Sequence, residues 1–218
     1  MSIDDNQRSR EAVLARVRAA LGRNGPDDEA RAAAHAYLAA RTQGPRPTAP
    51  SSPVQRFLER ATDMASTTAR LATVDGVPAE VARYLGGSHA RAVCWPELAS
   101  LDWVRADLDV DPRPTRGDDA VGITGCFCAI AETGTLVFAS AADAPPATFL
   151  LPETHVAIVH ADQVVAGMED AFARLRSDRR LLPRAVNLVS GPSRTGDIEQ
   201  TIVLGAHGPR RVHIILIG

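Results

Sequence analysis

Apolar and polar positions follow two regimes along this chain. Over residues 4–22, Val13, Leu14, Val17 and Leu21 recur at helical spacing, which predicts one amphipathic helix. Asp4 and Asp5 suit its start and Gly22 its end. Residues 27–41 are alanine-rich, with Asp27, Asp28 and Glu29 at the positive end of the helix dipole, and predict a second helix. Gly44 to Pro53 holds four prolines among small polar residues and reads as a linker or extended arm. A third helix is predicted from Val54 to about Ala65. From about residue 70 the pattern becomes alternating α/β. Helices are predicted over Val77–Leu85, Pro96–Asp102, Val164–Leu175 and 197–204. Strands are predicted over Ala90–Cys94, Ala120–Ile123, Phe127–Ala131, Thr135–Ser140, Val156–His160, Val186–Ser190 and Val212–Ile217. Strands alternating with helices argue for an α/β fold with a mostly parallel sheet flanked by helices. The division expected is an N-terminal helical extension over residues 1–66 and an α/β domain over 67–218.

The N-terminal stripe has two readings. It packs on its own chain, or it holds a second protomer and makes a homo-oligomer.

Composition narrows the function classes. A length of 218 residues suits one large domain or one domain with an appendage. A net charge of −2 gives no field that argues for nucleic acid or an anionic membrane. No run approaches the roughly 18 apolar residues of a membrane span. The opening Met1-Ser2-Ile3-Asp4-Asp5 is acidic and lacks an apolar signal core, so a cytoplasmic protein is expected. All 24 basic residues are arginine. Without lysine there is no Walker-A phosphate clamp, no Schiff base and no lysine general base. The three cysteines, Cys94, Cys126 and Cys128, form no disulfide framework and are too few for an ordinary four-thiolate iron–sulfur cluster. Cys126-Phe127-Cys128 alternates like a strand and predicts both sulfurs on one face, either as a metal or redox pair or as small buried residues. No cofactor-binding motif of the Gly-x-Gly-x-x-Gly kind follows a strand.

Two segments carry candidate chemistry. In Ala131-Glu132-Thr133-Gly134-Thr135, Thr133-Gly134 makes a tight turn between two strands and puts Glu132 at a strand end. Glu132 is there a general base or nucleophile at a cleft edge, or a solvated hairpin glutamate. In Ser190-Gly191-Pro192-Ser193-Arg194-Thr195-Gly196-Asp197-Ile198-Glu199 a strand runs through a small polar turn into a predicted helix. Free backbone N–H groups at that helix start, with Ser193, Arg194 and Thr195, would hold a small carboxylate or phosphate. Capping alone explains the serine and threonine but needs no arginine, whereas a bidentate carboxylate clamp does. Asp197 and Glu199 suit the helix dipole. His207, in Gly205-Ala206-His207-Gly208-Pro209, lies on a turn and could transfer a proton, and His155 is similarly placed just before a strand.

Val121-Gly122-Ile123-Thr124, Ala129–Thr135, Leu151-Pro152-Glu153-Thr154-His155, Ser190–Glu199 and Gly205–Pro209 occur in that order. Together they resemble the LutC/YkgG family of lactate-utilisation proteins, the LUD domain, over roughly residues 70–218. The resemblance implies a fold like that of ribose-phosphate isomerases and CoA transferases. It implies a part in oxidising L-lactate to pyruvate beside partner proteins that carry cysteine-rich, iron–sulfur segments. Joined to the residues above, it would place a lactate carboxylate on Arg194 and the N–H groups of 193–196, with Thr133, Gly134, Thr135, Ser190 and Gly191 around it. Glu132 or His207 would take the hydroxyl proton. Two other classes stay open: a noncatalytic ligand-binding or scaffold subunit, and an acyl or CoA transferase using Glu132 as nucleophile.

Overall fold

A computed structural model describes residues 3–22, 27–48, 51–87, 91–178, 183–195 and 203–218. The chain forms two compact units, residues 1–46 and 47–218. The first unit holds α1 (Ile3–Ala20) and α2 (Asp28–Ala40). Asp27 caps α2 by accepting from the Ala30 N–H at 2.9 Å. Val13 and Val17 on α1, Leu21 just after it, and Tyr37 and Leu38 on α2 are exposed.

The second unit begins with α3 (Pro53–Asp63), which buries Phe57, Leu58 and Ala61. The sequence pattern grouped this helix with the extension. Its apolar face instead joins the core of the α/β unit. There follow β1 (Thr67–Leu71), α4 (Val77–Leu85), β2 (Ala92–Cys94), β3 (Val110–Asp111), β4 (Val121–Thr124), β5 (Cys128–Ile130) and β6 (Thr135–Ala139). Next come α5 (Ala147–Leu150), β7 (Thr154–His160), β8 (Val164–Val165) and α6 (Met168–Asp178). The chain closes with β9 (Val186–Val189), β10 (Arg194–Thr195), β11 (Val203–Leu204) and β12 (Arg211–Ile217).

Six strands make a parallel sheet in the order β1-β12-β7-β4-β2-β3. The long apolar strands β7 and β12 occupy its middle, with Ile158 opposite Ile215, and both their faces are covered. On one face α4 presents Val77, Val81 and Leu85 to Val156, Ile158, Ile215 and Ile217. On the other, Ala157, Val159, Ile214 and Leu216 meet α3 and a second sheet of order β8-β5-β6-β9. That smaller sheet pairs β5 with β6 and β6 with β9 antiparallel. Its outer face, with Ile130 and Val137, lies beneath Ala171 of α6. Each large aliphatic chain so buried contributes about 1.5–3 kcal/mol. The α/β architecture and mostly parallel main sheet are therefore as the sequence pattern predicts. Among the described residues no helix is long and apolar enough to cross a membrane.

Three local expectations are corrected. Val164–Val165 is a strand running parallel to β5, and the helix starts only at Met168, because the apolar pair is used to extend the small sheet. The described end of the helix predicted over 197–204 is instead β11, paired antiparallel with β10. Cys126 precedes β5, so the strand alternation does not reach it. It packs between the sheets while Cys128 packs on the α6 side.

Candidate functional site

Of the described residues singled out by the sequence, those of the Glu132–Thr135 and Ser190–Thr195 segments lie by the amino edge of the main sheet, where β1, β7 and β12 begin. Gly134 takes φ +68° in the β5–β6 turn, and a Cβ there would lie 2.4 Å from the Ala61 nitrogen of α3. Gly191 takes φ +77°, and a Cβ would lie 2.0 Å from the Met64 carbonyl oxygen just beyond α3. Both glycines thus let a loop touch backbone that any side chain would hold off. Between them the Thr135 hydroxyl is 2.7 Å from that of Thr133 and 2.6 Å from that of Ser190. Thr135 is buried, while Ser190 is exposed. Glu132 is half-buried and its main chain is pinned: the N–H donates to the Ala166 carbonyl, and the carbonyl accepts from Arg60 Nε.

Arg194 is exposed and donates from one guanidinium nitrogen to the Met64 carbonyl at 3.2 Å. Its backbone, with that of Thr195, belongs to the β10–β11 ladder rather than to a first helical turn. The Ser193 N–H donates to the Pro209 carbonyl at 2.9 Å. Of the N–H groups expected to be free over 193–196, that of Ser193 is therefore taken by Pro209, and Arg194 and Thr195 lie in a strand instead of at a helix start. Asp197 and Glu199 lie outside the described residues. His207 is exposed in the turn after β11, whose Gly208 abuts Ser193. The structure thus brings together Thr133, Gly134, Thr135, Ser190, Gly191 and Arg194 around the end of α3. It sets the His207 loop against Ser193.

His155 is not a loop residue. It lies in β7, fully buried, with Nε2 2.9 Å from the Thr124 hydroxyl and its ring beside Phe138 and Phe149. Burial pulls its pKa down to about 3, so the ring is neutral.

The opposite, carboxyl edge carries a site that sequence reasoning missed. Where β2, β4 and β7 end, a bowl of about 260 Å³ opens over Trp95 and Cys126, with Glu97, Asp143, Gln163 and Arg174 around it. Glu97 is exposed, and its carboxylate sits on Gly125, whose N–H donates to it. A Cβ on Gly125 would lie 2.1 Å from Glu97 Oε1, so only glycine leaves that seat open. Partial desolvation raises the Glu97 pKa, outweighing the Gly125 hydrogen bond, and Asp143 raises it further. Gln163 ties two loops together, donating to the Cys126 carbonyl at 2.9 Å and accepting from the His160 N–H at 2.8 Å. Arg174 of α6 lies 5.9 Å over the Phe127 ring and donates to the Asp162 carbonyl. The one available signal was the rule that open α/β sheets bind ligands beyond the carboxyl ends of their strands.

The thiols do not fit an iron–sulfur cluster. Cys94, Cys126 and Cys128 belong to three separate apolar clusters, and all are buried. Burial pushes the Cys94 thiol up to about 11 and raises that of Cys126 as well. Among the described residues no three His, Cys, Asp or Glu side chains converge as metal ligands.

Comparison with known proteins places this architecture. The family model described as the LUD domain matches residues 97–217. Lactate utilization protein C of Deinococcus radiodurans is 33% identical over 186 residues, covering 80% of this chain and 84% of that protein. Lactate utilization protein C of Bacillus subtilis (strain 168) is 37% identical over 127 residues, covering 56% of this chain and 53% of that protein. The crystal structure of a DUF162 family protein from Deinococcus radiodurans aligns with a TM-score of 0.55 at 25% identity, covering 79% of this chain and all of that one.

Proposed function

The chain belongs to the LUD domain family, and from that premise we propose that it is a cytoplasmic subunit of an L-lactate utilisation system. In this reading L-lactate is oxidised to pyruvate: the O–H and Cα–H bonds break, two protons are released, one from the hydroxyl and one from the α-carbon, and the two electrons leave to iron–sulfur clusters on separate, cysteine-rich partner subunits. The observation that carries it is the 33% identity to a lactate utilization protein C over 80% of the chain. The dispersal of the three thiols into separate clusters supports assigning the redox centres to partners.

The substrate carboxylate pairs with Arg194, whose exposed guanidinium donates to the Met64 carbonyl and whose fork geometry suits a carboxylate. The hydroxyls of Thr133 and Ser190 line the approach, and Glu132 or His207 accepts the proton of the substrate hydroxyl. The test is L-lactate-dependent electron transfer in the complex reconstituted with its cysteine-rich partners. Arg194→Ala lowers kcat/KM by about 100-fold or more while the fold persists. Unchanged turnover removes Arg194 as the clamp, and no lactate-dependent transfer by the wild-type complex overturns the reading.

A noncatalytic scaffold subunit is the second reading. It is favoured by one observation: the hydroxyls of Thr133, Thr135 and Ser190 satisfy one another, as in a structural joint. Partner capture that survives Arg194→Ala together with undiminished turnover would select it.

A further inference from the structure

We propose that the bowl at the carboxyl edge binds a small zwitterion, a carboxylic acid with an adjacent ammonium group. The inference does not depend on the lactate reading. Its charges are mixed: among the described lining residues, the carboxylates Glu97 and Asp143 and the guanidinium of Arg174 border one cavity, with His160 close enough to act on Glu97. A simple anion would meet Arg174 but also the repulsion of both carboxylates. A simple cation would meet the reverse. A zwitterion places its carboxylate toward Arg174 and its ammonium toward Glu97 and Asp143, and so matches both signs.

The shape agrees with the charge. A volume of about 260 Å³ suits a molecule of a few heavy atoms rather than a nucleotide or coenzyme. The floor is rigid: the Trp95 ring meets Phe138 edge-on at 6.1 Å, and its indole N–H donates to the Pro145 carbonyl. Glu97 is seated by the Gly125 amide before any ligand arrives, which lowers the ordering cost of binding. The loops that form the wall are fixed by the Gln163 crosslink. The walls come from the segments that follow β2, β4, β6 and β7 and from α6, so the bowl exists only in the folded α/β unit.

L-alanine and L-lactate differ by an ammonium against a hydroxyl on the same carbon frame, and they isolate the claim. The full chain is titrated with L-alanine, L-lactate, propionate and ethylamine by calorimetry and by tryptophan fluorescence. The expected result is L-alanine binding at least about ten-fold more tightly than the other three. Glu97→Gln and Asp143→Asn should each weaken L-alanine by about five- to ten-fold, and Arg174→Gln should weaken L-alanine and propionate alike. Thermal unfolding of each variant without ligand checks that it is folded, and the two rim variants keep the test informative if Arg174→Gln is not. L-lactate binding as tightly as L-alanine, or L-alanine affinity indifferent to Glu97→Gln and Asp143→Asn, overturns the ammonium assignment. Silence with all four ligands at about 10 mM overturns the site. Neither outcome touches lactate turnover through Arg194, which is read in the reconstituted complex.

Discussion

At the amino edge of the main sheet, loops touch backbone to backbone and hydroxyls bond to hydroxyls. Gly134 and Gly191 lie against the end of α3, and Thr133, Thr135 and Ser190 form one chain. At the carboxyl edge, charged side chains of both signs line an open bowl. The first edge holds much of the family-specific sequence and resembles a joint. The second holds residues scattered along the chain and resembles a receptor. A specific motif can therefore mark where a fold is fastened as well as where a ligand sits.

The largest effects should come from the amino edge. Gly134→Val drives a side chain into α3 backbone and Gly191→Ala drives one into the Met64 carbonyl just beyond it, both at positive φ, and each should destabilise the protein by about 3 kcal/mol or more, read by chemical denaturation. Stability unchanged by either would dissolve the joint. Acid should act next. His155 sits one residue inside β7, with a folded pKa of about 3 against an ordinary value near 6.5. The unfolded chain takes the proton first, so this stability is complete above about pH 6.5 and is lost as the pH falls toward 3. The lowered pKa of His213 acts in the same direction. The melting temperature should fall across that window, and His155→Gln should flatten its slope. A smaller loss, about 1 kcal/mol, is expected from Thr135→Val, which removes the middle of the hydroxyl chain. The smallest belongs to the carboxyl edge. Glu97→Gln should change stability by no more than about 0.5 kcal/mol, because the bowl's rim is not packed into the core. A loss as large as that of the glycine variants would make the bowl a joint too.

Much of the fold was legible in the sequence. The apolar runs of β7 and β12 announced buried central strands, because a strand covered on both faces has no polar alternation to hide it. Helix α4 lies at Val77–Leu85 as its pattern predicts, bounded by Gly86 in the left-handed region. Strand β1 was missed. Its Thr67–Leu71 run is short and half-exposed at a sheet edge, and only the parallel partner β12 makes it a strand. Val164–Val165 and Val203–Leu204 misled in the same way, since short apolar pairs fit either period until a neighbouring strand claims them.

The sequence by itself determined the α/β class, the central strands, the exclusion of lysine chemistry and the family. Those follow from local periodicity, composition and ordered phrases, which are properties of the chain read in one dimension. Tertiary structure decided what the phrases are for: that Gly134 and Gly191 receive the end of α3, that the three thiols fall in separate apolar clusters, and that His155 is core. It also decided that Glu97, Asp143 and Arg174 share one bowl. Those groups come from elements far apart in sequence, and parallel strands bring their ends together only once the sheet has closed.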